Sequence, residues 1–323
     1  MRKIGIEYAE KGVMRFCDIG EPPQPVDNQV LLRTLYSGIT NGTERHALMA
    51  EHGWKHFPGR HGYQHVCRVE AVGPWVNIFK PGDTVFYGQY VGHRAWHVVD
   101  LSNADPNSNG SHLCFPLPGD LDPKHCALLG VAGVAMRGVR RCRVAPGQNV
   151  WVAGVGLIGH FAAQAARCCG ARVTVSDVNR RRLEVARETG ADVALNANDP
   201  GFLDALKKGG PYDRIIDGCG QQALFLDVFR NGLLAPHGAV CALAVRSEAV
   251  FHWSLLHMCE ASIEVSCHFS LDDLRVLTHF MRRGDIRVGP VIFDSVPIDE
   301  APGIYERLRD NPQELLGVVF DWA

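Results

Sequence analysis

A glycine-rich loop near the middle of the chain carries the pattern that binds the diphosphate of a dinucleotide. Residues 152 to 159 read Val-Ala-Gly-Val-Gly-Leu-Ile-Gly, a G-x-G-x-x-G that follows a predicted strand and opens a predicted helix. The first glycine permits a tight turn, the second lets the backbone approach the diphosphate, and the third lets helix and strand pack closely. The free N–H groups of the helix N-terminus favour an anion at the same place. We therefore predict that the cofactor is bound by Gly154, Val155, Gly156, Leu157, Ile158 and Gly159.

An acidic residue at the end of the next strand, Asp177, indicates which dinucleotide is bound. Its carboxylate would accept hydrogen bonds from the adenosine ribose hydroxyls and repel a 2′-phosphate, which favours NAD over NADP. Three arginines follow at 180 to 182, and an arginine there can hold that phosphate, so NADP stays open. We include Arg182 among the cofactor-binding residues, together with Cys219, which follows the predicted strand Tyr212–Asp217. The alternative is a glycine-rich turn without a ligand.

A second cluster of chemically capable residues lies in a histidine-rich loop. If the segment were helical, His52 and His56 would face one side, and with His61 and His65 they raise the question of a metal site. Pro58 breaks a long helix, so the alternative is a polar surface loop. The loop is also locally cationic, which predicts either an anionic substrate group or a solvated face.

Composition limits the classes of partner. The chain has 323 residues, enough for two domains, and its net charge of −2 gives no support to binding of nucleic acid or of an anionic membrane. We find no apolar run of about 18 residues, so we expect no membrane span. The 11 scattered cysteines, with no secretory signal, indicate reduced thiols in a cytoplasmic protein.

Three zones of hydrophobic patterning predict an α/β fold. Residues 1–118 hold short alternating segments typical of an antiparallel or barrel-like β unit. Residues 119–265 alternate strand and helix, which predicts a doubly wound parallel sheet. In residues 266–323, a predicted helix over 272–283 is followed by strands near 290–293 and 317–321, and we expect this tail to fold back onto the first domain.

Several motifs resemble the medium-chain dehydrogenase/reductase superfamily, which has the fold of zinc alcohol dehydrogenases. They are Ser37–Glu44 (Ser-Gly-Ile-Thr-Asn-Gly-Thr-Glu), Gly62–Gln64, Lys80–Val85 (Lys-Pro-Gly-Asp-Thr-Val) and Ala145–Val150. The first of these, and the terminal pair Asp321-Trp322, most resemble the bacteriochlorophyllide a dehydrogenase-like subfamily. The resemblance implies a GroES-like catalytic domain over 1–118 with 266–323, and a Rossmann NAD-binding domain over 119–265.

The same resemblance shows where zinc ligands would stand. The slots fall on Thr40 or Asn41, on Tyr63 with Gln64 after it, and near Val131. A catalytic zinc needs three ligands of the Cys, His or carboxylate type, and none of these residues is one. Since Cys114 is the only cysteine between 68 and 125, the four-cysteine structural zinc lobe is absent too. We therefore expect no zinc.

Without a metal, protein groups must move the proton of the substrate hydroxyl. By resemblance Thr43 stands at the proton-relay position, and Tyr63 points into the cleft as an acid or a substrate-orienting group. His65 and His61 are alternatives, and Glu44 would hold a histidine or arginine in place. Two alternative interpretations stay open. In the first, Tyr63 is a buried aromatic residue. In the second, Thr43 is a turn residue whose hydroxyl bonds to the backbone. We place Thr40, Asn41 and His61 at the substrate.

These expectations combine into a zinc-independent, NAD-dependent dehydrogenase that oxidises a secondary alcohol or reduces its ketone, with a polyhydroxylated or anionic substrate. Two alternatives stay open: a zinc-free reductase of an activated C=C bond, and a non-catalytic NAD-binding sensor. The partners expected are a small-molecule substrate and a second copy of the chain. By resemblance, the predicted edge strand Ser262–Cys267 would pair in a homodimer, with a tetramer as the alternative.

Overall fold

The computed structural model describes residues 2–54, 56–102 and 112–323. The chain forms two compact units. The first contains residues 1–130, 269–278 and 292–323, and the second contains residues 131–268 and 279–291. Within the described residues, no helix is both long and apolar enough to span a bilayer.

The first unit is mostly β. Its strands are β1 Ile4–Glu10, β2 Val13–Asp18, β3 Gln29–Gly38, β4 His65–Val72, β5 Thr84–Tyr87, β6 Trp96–Asp100, β7 Cys114–Pro116, β14 Ile292–Pro297 and β15 Gly317–Asp321. Its helices are α1 Asn41–Leu48, α2 Pro123–Cys126 and α10 Ala301–Asp310.

A seven-stranded sheet organises this unit, in the order β14-β15-β3-β4-β5-β7 with β6 also paired to β3. The last strand, β15, runs antiparallel to β3 with Val319 opposite Gly38, so the end of the chain joins the N-terminal sheet. A buried apolar cluster joins residues of β1, α1, α10 and β15, among them Tyr8, Leu48, Tyr305 and Phe320. The long central strand β3 thus lies beside both α1 and the C-terminal strand, which positions the polar cluster described below.

The second unit is a parallel sheet of six strands in the order β10-β9-β8-β11-β12-β13. The strands are β8 Asn149–Ala153, β9 Arg172–Asp177, β10 Val193–Asn196, β11 Tyr212–Asp217, β12 Leu234–Ala242 and β13 Ser262–Val265. The helices are α4 Leu157–Cys168, α5 Arg180–Glu188, α6 Phe202–Gly209, α7 Leu224–Arg230 and α8 Trp253–Met258. Two further helices, α3 Leu129–Arg141 and α9 Leu271–Arg282, carry residues of both units. Buried strands that alternate with helices confirm the predicted α/β class, with a Rossmann-type sheet and a mostly β unit.

The observed units differ from the predicted boundaries at two places. The first unit extends to residue 130 rather than 118, because the chain near Ala127 lies against β3: a Cβ added at Gly38 would be 2.1 Å from the Ala127 carbonyl oxygen. Residues 279–291 cluster with the second unit rather than the first. The Gln164 side chain holds them there, since it donates to the Arg287 carbonyl at 3.2 Å and accepts from the Arg287 N–H at 2.7 Å.

The helix that would align His52 and His56 does not form at residues 52 and 53, which make a turn and both have positive φ. Three predicted elements also differ in their bounds. The sequence predicts a helix near 223–234, and this helix ends at Arg230 because Leu234 already starts β12. It also predicts a strand over 239–245, and this strand ends at Ala242. The strand predicted near 290–293 is preceded by a 3₁₀ turn and starts at Ile292.

Candidate functional site

The glycine-rich loop has the geometry that its sequence predicts. Strand β8 ends at Ala153, Gly154 adopts a φ of 85°, and α4 starts at Leu157. A Cβ at Gly159 would lie 1.9 Å from the Gly154 carbonyl oxygen, so only glycine permits this approach of helix to loop. A Cβ at Gly156 would meet no atom within 4 Å, so open space lies in front of the second glycine. Within the described residues, no side chain caps α4 at its N-terminus.

Asp177 is tied into this loop from the neighbouring strand. Its Oδ2 accepts a hydrogen bond from the Val155 N–H and its Oδ1 accepts one from the Asn179 N–H, both at 2.8 Å. The Asn179 side chain caps α5 by accepting from the Arg182 N–H. Burial lowers the pKa of the Arg182 guanidinium, and the charge of Asp177 acts in the opposite direction. The Asp177 carboxylate and the Arg182 guanidinium therefore both lie near the carboxyl end of β9.

Cys219 lies on the other side of the loop. A Cβ at Gly154 would be 2.7 Å from the Cβ of Cys219, so the two segments touch. The Cys219 and Gly220 N–H groups both donate to Oδ1 of Asp217, at 3.2 and 2.9 Å, which fixes the turn after β11. The structure thus brings the glycine loop, Asp177, Arg182 and Cys219 to one end of the parallel sheet, where this fold binds ligands.

The first unit contains a buried polar cluster centred on Glu44, whose exposure is 1%. Its carboxylate accepts from the Tyr305 hydroxyl at 2.6 Å, the Tyr8 hydroxyl at 3.2 Å and the Thr40 N–H at 2.8 Å. Nε2 of His93 lies 3.1 and 3.2 Å from its two oxygens. Four donors thus converge on one carboxylate, and a buried carboxylate is stabilised in this way.

The charge state of Glu44 follows from these contacts. Burial acts to raise its pKa, but His93, the Tyr305 hydroxyl and the Thr40 N–H outweigh it, so the pKa of Glu44 lies below its ordinary value. The same burial, with the nearby carboxylate, raises the pKa of Tyr8 and Tyr305 well above theirs. Glu44 is therefore an anion held by neutral phenols and an imidazole.

The cluster continues to the C-terminus of the chain. Nδ1 of His93 lies 2.9 Å from the Ser37 hydroxyl oxygen, and that oxygen accepts a hydrogen bond from the Trp322 indole N–H at 2.9 Å. Sequence reasoning gave Glu44 a positioning role but missed His93, Ser37, Tyr8, Tyr305 and Trp322. The sequence contains one signal for this cluster: the Ser37–Glu44 motif and the terminal Trp322 both belong to the resemblance to the same subfamily.

The residues in the predicted zinc slots make other contacts. The Gln64 amide donates to the Thr40 hydroxyl at 2.9 Å, and the Asn41 amide donates to the Leu316 carbonyl at 2.8 Å. Tyr63 is buried, with its ring 4.6 Å from that of Tyr90. A Cβ at Gly130 would lie 2.8 Å from the Tyr63 ring, so this glycine makes room for it. Thr43 is half-buried in the first turn of α1.

The two candidate histidines occupy different surroundings. His65 is fully buried in β4 with its ring 4.5 Å from that of His97, and burial lowers its pKa to about 3. An imidazole of that pKa is neutral at physiological pH, which does not favour the predicted acid role. His61 is stacked between Tyr8 and Trp54, at 5.5 and 5.7 Å, and burial lowers its pKa as well.

The buried neutral His65 predicts a loss of stability in acid. Its folded pKa of about 3 lies below the unfolded value near 6.5, so the unfolded chain binds the proton first and stability falls as pH drops below about 6.5. From pH 8 to pH 5 this one group removes about 2 kcal/mol from the free energy of unfolding. Urea unfolding of His65→Phe at both pH values should show a smaller pH dependence by about that amount. Replacing the half-exposed His125 by Gln is the control. A pH dependence of His65→Phe equal to that of the parent protein would contradict the prediction.

The four loop histidines do not form the metal site that the sequence raised. His61 is stacked between Tyr8 and Trp54, and His65 is buried with its ring tilted against that of His97. Among the described residues, the metal-competent group comprises His46, Glu51 and His52, whose ligand atoms all lie within 4.8 Å of one another. His46 was not predicted, because its spacing from His52 has no helical periodicity.

Comparisons with known proteins agree with this arrangement. Residues 158–283 match a family model described as zinc-binding dehydrogenase. An uncharacterised zinc-type alcohol dehydrogenase-like protein of Escherichia coli K12 is 33% identical over 204 residues, 54% of this chain and 58% of that relative. L-galactonate-5-dehydrogenase of the same strain is 26% identical over 325 residues, 93% of this chain and 94% of the relative.

Similarity at the level of structure extends over both units. The crystal structure of an E. coli CFT073 protein, described as a short chain alcohol dehydrogenase complexed with NADH, has a TM-score of 0.84. The match covers 99% of each chain at 18% identity, which shows the fold. The family model and the full-length relative show similarity to zinc-type, medium-chain alcohol dehydrogenase-like proteins. An oxidoreductase acting on CH–OH donors, the predicted enzyme class, is confirmed.

Proposed function

We propose that this oxidoreductase transfers hydride between a secondary alcohol and NAD without a catalytic metal. The proposal rests on one combined observation. The chain has a complete dinucleotide-binding loop, but amide, phenol and alkyl groups stand where zinc ligands would be. The bacteriochlorophyllide-like subfamily remains part of the proposal on the motifs at Ser37–Glu44 and Asp321-Trp322 alone.

The residues in the zinc slots do not fit zinc. Asn41 and Gln64 offer zinc only a neutral amide oxygen, while their amide nitrogens donate to the Leu316 carbonyl and the Thr40 hydroxyl. Tyr63 is buried with its ring against that of Tyr90, and the Val131 side chain offers no donor atom. Zinc prefers thiolate, imidazole and carboxylate ligands, so this set supplies none of the three it needs.

The glycine loop fits a dinucleotide. The open space before Gly156 and the uncapped N-terminus of α4 suit a diphosphate, and Asp177 and Arg182 lie where the adenosine ribose would bind. When bound, the nicotinamide ring supplies the hydride acceptor. We assign Gly154 to Gly159, Asp177, Arg182 and Cys219 to holding this cofactor.

The remaining chemistry is movement of the hydroxyl proton. We assign it to the Thr43 hydroxyl, in the first turn of α1, with Tyr63 orienting the substrate alongside Thr40 and Asn41. Glu44 accepts from the Thr40 N–H, so the buried cluster fixes the start of α1 and thereby the direction of Thr43. A positioned donor of this type contributes about 10²–10⁴-fold to the rate.

The structure bears on the substrate class through the cationic loop. Arg45 pairs with Glu51 at 2.9 Å and Arg60 pairs with Glu7 at 3.3 Å, so these charges are partly neutralised within the protein. That argues for a polyhydroxylated substrate ahead of one recognised by its anionic group. The similarity to an enzyme named L-galactonate-5-dehydrogenase makes sugar acids and polyols the first compounds to test.

Replacing Asp177 by Ser should reduce the preference for NAD. The carboxylate is the group that accepts the ribose hydroxyls and repels a 2′-phosphate, whereas Arg182 remains to attract it. We expect the ratio of NAD to NADP affinity, measured by calorimetric titration, to fall by about tenfold or more, the size of one lost charged hydrogen bond. Asp199→Ser, at an exposed pair with Arg180, is the control and should leave the ratio unchanged. If Asp177→Ser and the parent protein have the same ratio of NAD to NADP affinity, Asp177 does not bind the ribose hydroxyls.

A homodimer is the assembly we propose. Strand β13 is at the end of the six-stranded sheet, and exposed apolar side chains, including Val265, Trp253 and Met258, accompany it. Pairing with a second copy would remove that open edge. Sedimentation of the protein should give twice the chain mass, and Val265→Asp should shift it toward the monomer because it puts a charge on the apolar edge that pairing would bury. A Val245→Asp variant, with a similarly exposed valine outside the strand, should stay dimeric.

A further inference from the structure

We propose that His46, Glu51 and His52 form a binding site for a divalent transition-metal ion of the zinc type, separate from the slots where zinc dehydrogenases hold theirs. The proposal rests on the geometry of these three side chains, which lie at the C-terminal end of α1 and in the turn after it. It does not rest on the proposed function.

The ligand atoms are already gathered. Nδ1 of His46 lies 2.6 Å from Oε2 of Glu51, and the rings of His46 and His52 meet edge to face with centroids 4.4 Å apart. All three ligand atoms lie within 4.8 Å of one another. Zinc binds imidazole nitrogen at about 2.0–2.1 Å and carboxylate oxygen at about 2.0–2.2 Å, so small side-chain movements would bring the three onto one ion.

The backbone holds the three residues in this relation. The Glu51 N–H donates to the His46 carbonyl at 2.8 Å, and the Trp54 N–H donates to the Glu51 carbonyl at 3.0 Å. Ala50 and His52 both adopt positive φ, at 57° and 51°, so the chain reverses sharply after α1 and returns His52 to His46. A site that is preformed by its backbone loses less entropy when it binds an ion.

The chemistry of the set selects the ion. Two imidazoles and one carboxylate suit Zn²⁺, Ni²⁺ or Cu²⁺, whereas Mg²⁺ and Ca²⁺ prefer oxygen ligands alone. Three protein ligands leave a fourth position for water. Glu51 also accepts two hydrogen bonds from Arg45, at 2.9 and 3.0 Å, and this cation competes with the metal. We therefore expect an affinity below that of a structural zinc site.

A bound ion would fix the turn after α1. The His46 ring contacts Trp54, and Trp54 stacks on His61, which in turn stacks on Tyr8 of the Glu44 cluster. The ion would thus stiffen one wall of the buried cluster without taking part in hydride transfer.

The test is a titration of the chelator-treated protein with Zn²⁺ and with Co²⁺. We expect one equivalent to bind, with a tetrahedral Co²⁺ absorption spectrum and a rise in melting temperature. His52→Asn, whose side chain tolerates positive φ, should weaken binding by about 10–100-fold or more, and Glu51→Gln should do the same.

The matched control is His237→Asn. His237 also has positive φ and pairs with Glu260 at 3.1 Å on an exposed face, but that pair is not part of the three-ligand group. This variant should bind like the parent. Failure of the parent to bind one equivalent, or binding that survives both His52→Asn and Glu51→Gln, would overturn the proposal. If Asn41→Ala abolished the binding instead, the metal would belong to the family slot, which would also contradict the proposed metal-free chemistry.

Discussion

Replacing Glu44 by Gln should lower the free energy of unfolding of the first unit by about 3–5 kcal/mol. The carboxylate accepts from Tyr305, Tyr8, His93 and the Thr40 N–H, and all four are buried or backbone donors. An amide of the same size turns its own N–H groups toward some of these donors and leaves them unpaired. Removing one partner from a buried pair costs far more than the pair contributes, because the other group stays desolvated.

Urea or thermal unfolding of Glu44→Gln measures this loss. The control is Glu70→Gln, which breaks a half-exposed pair with Arg33 at 2.6 Å and should cost less than about 1 kcal/mol. The pKa of Glu44 is lowered in the folded chain, so its stabilisation is present above the unfolded pKa and is lost as pH falls through the folded one. Glu44→Gln should therefore converge toward the parent in acid. Equal losses for Glu44→Gln and Glu70→Gln at neutral pH would contradict the role that we give this cluster.

Alanine substitutions at two glycines of the cofactor loop, Gly159 and Gly156, should have different consequences. Gly159→Ala puts a Cβ 1.9 Å from the Gly154 carbonyl oxygen, and neither backbone can move freely, so we expect a loss of about 1–3 kcal/mol together with loss of NAD binding. Gly156→Ala meets nothing within 4 Å and has a negative φ, so folding should be unaffected. Its added methyl group would instead stand where the diphosphate approaches, and NAD affinity alone should fall.

Thermal melts with and without NAD distinguish these outcomes. Gly303→Ala, in open space within α10, is the control and should be neutral or stabilise by up to about 1 kcal/mol. Retention of NAD affinity in Gly156→Ala would mean that the cofactor does not pass over this loop.

The Rossmann-type unit was predictable because its signals are local. Strands β8 and β11 have the bounds that their short buried runs predict, and the glycine loop and Asp177 lie at their ends. Each of these depends on a strand, a turn and a helix that are adjacent in sequence. The terminal strand β15 was predictable for the same reason, although its pairing with β3 was not visible in the pattern.

The first unit was less predictable because its helix and its polar cluster depend on tertiary contacts. Helix α1 is short, contains Gly42 and has no side-chain cap at Thr40, so its local preference is weak. It forms where Glu44 reaches back to the Thr40 N–H and outward to Tyr305, which is 261 residues away in sequence. A hydrogen bond over that distance leaves no periodic signal, and tertiary packing overrides local propensity.

The measurement that tests the central claim most directly is the rate of NAD reduction by chelator-treated protein, across a panel of polyols and sugar acids, before and after zinc is added back. We predict turnover of at least one secondary alcohol by the metal-depleted protein, at a rate that zinc does not change, and its loss in Thr43→Ala. Turnover that appears only with zinc would contradict the account. NAD binding with no turnover in either state would replace the dehydrogenase by a cofactor sensor. If the protein instead oxidises NADH only when an enone is supplied, a C=C reductase would replace it.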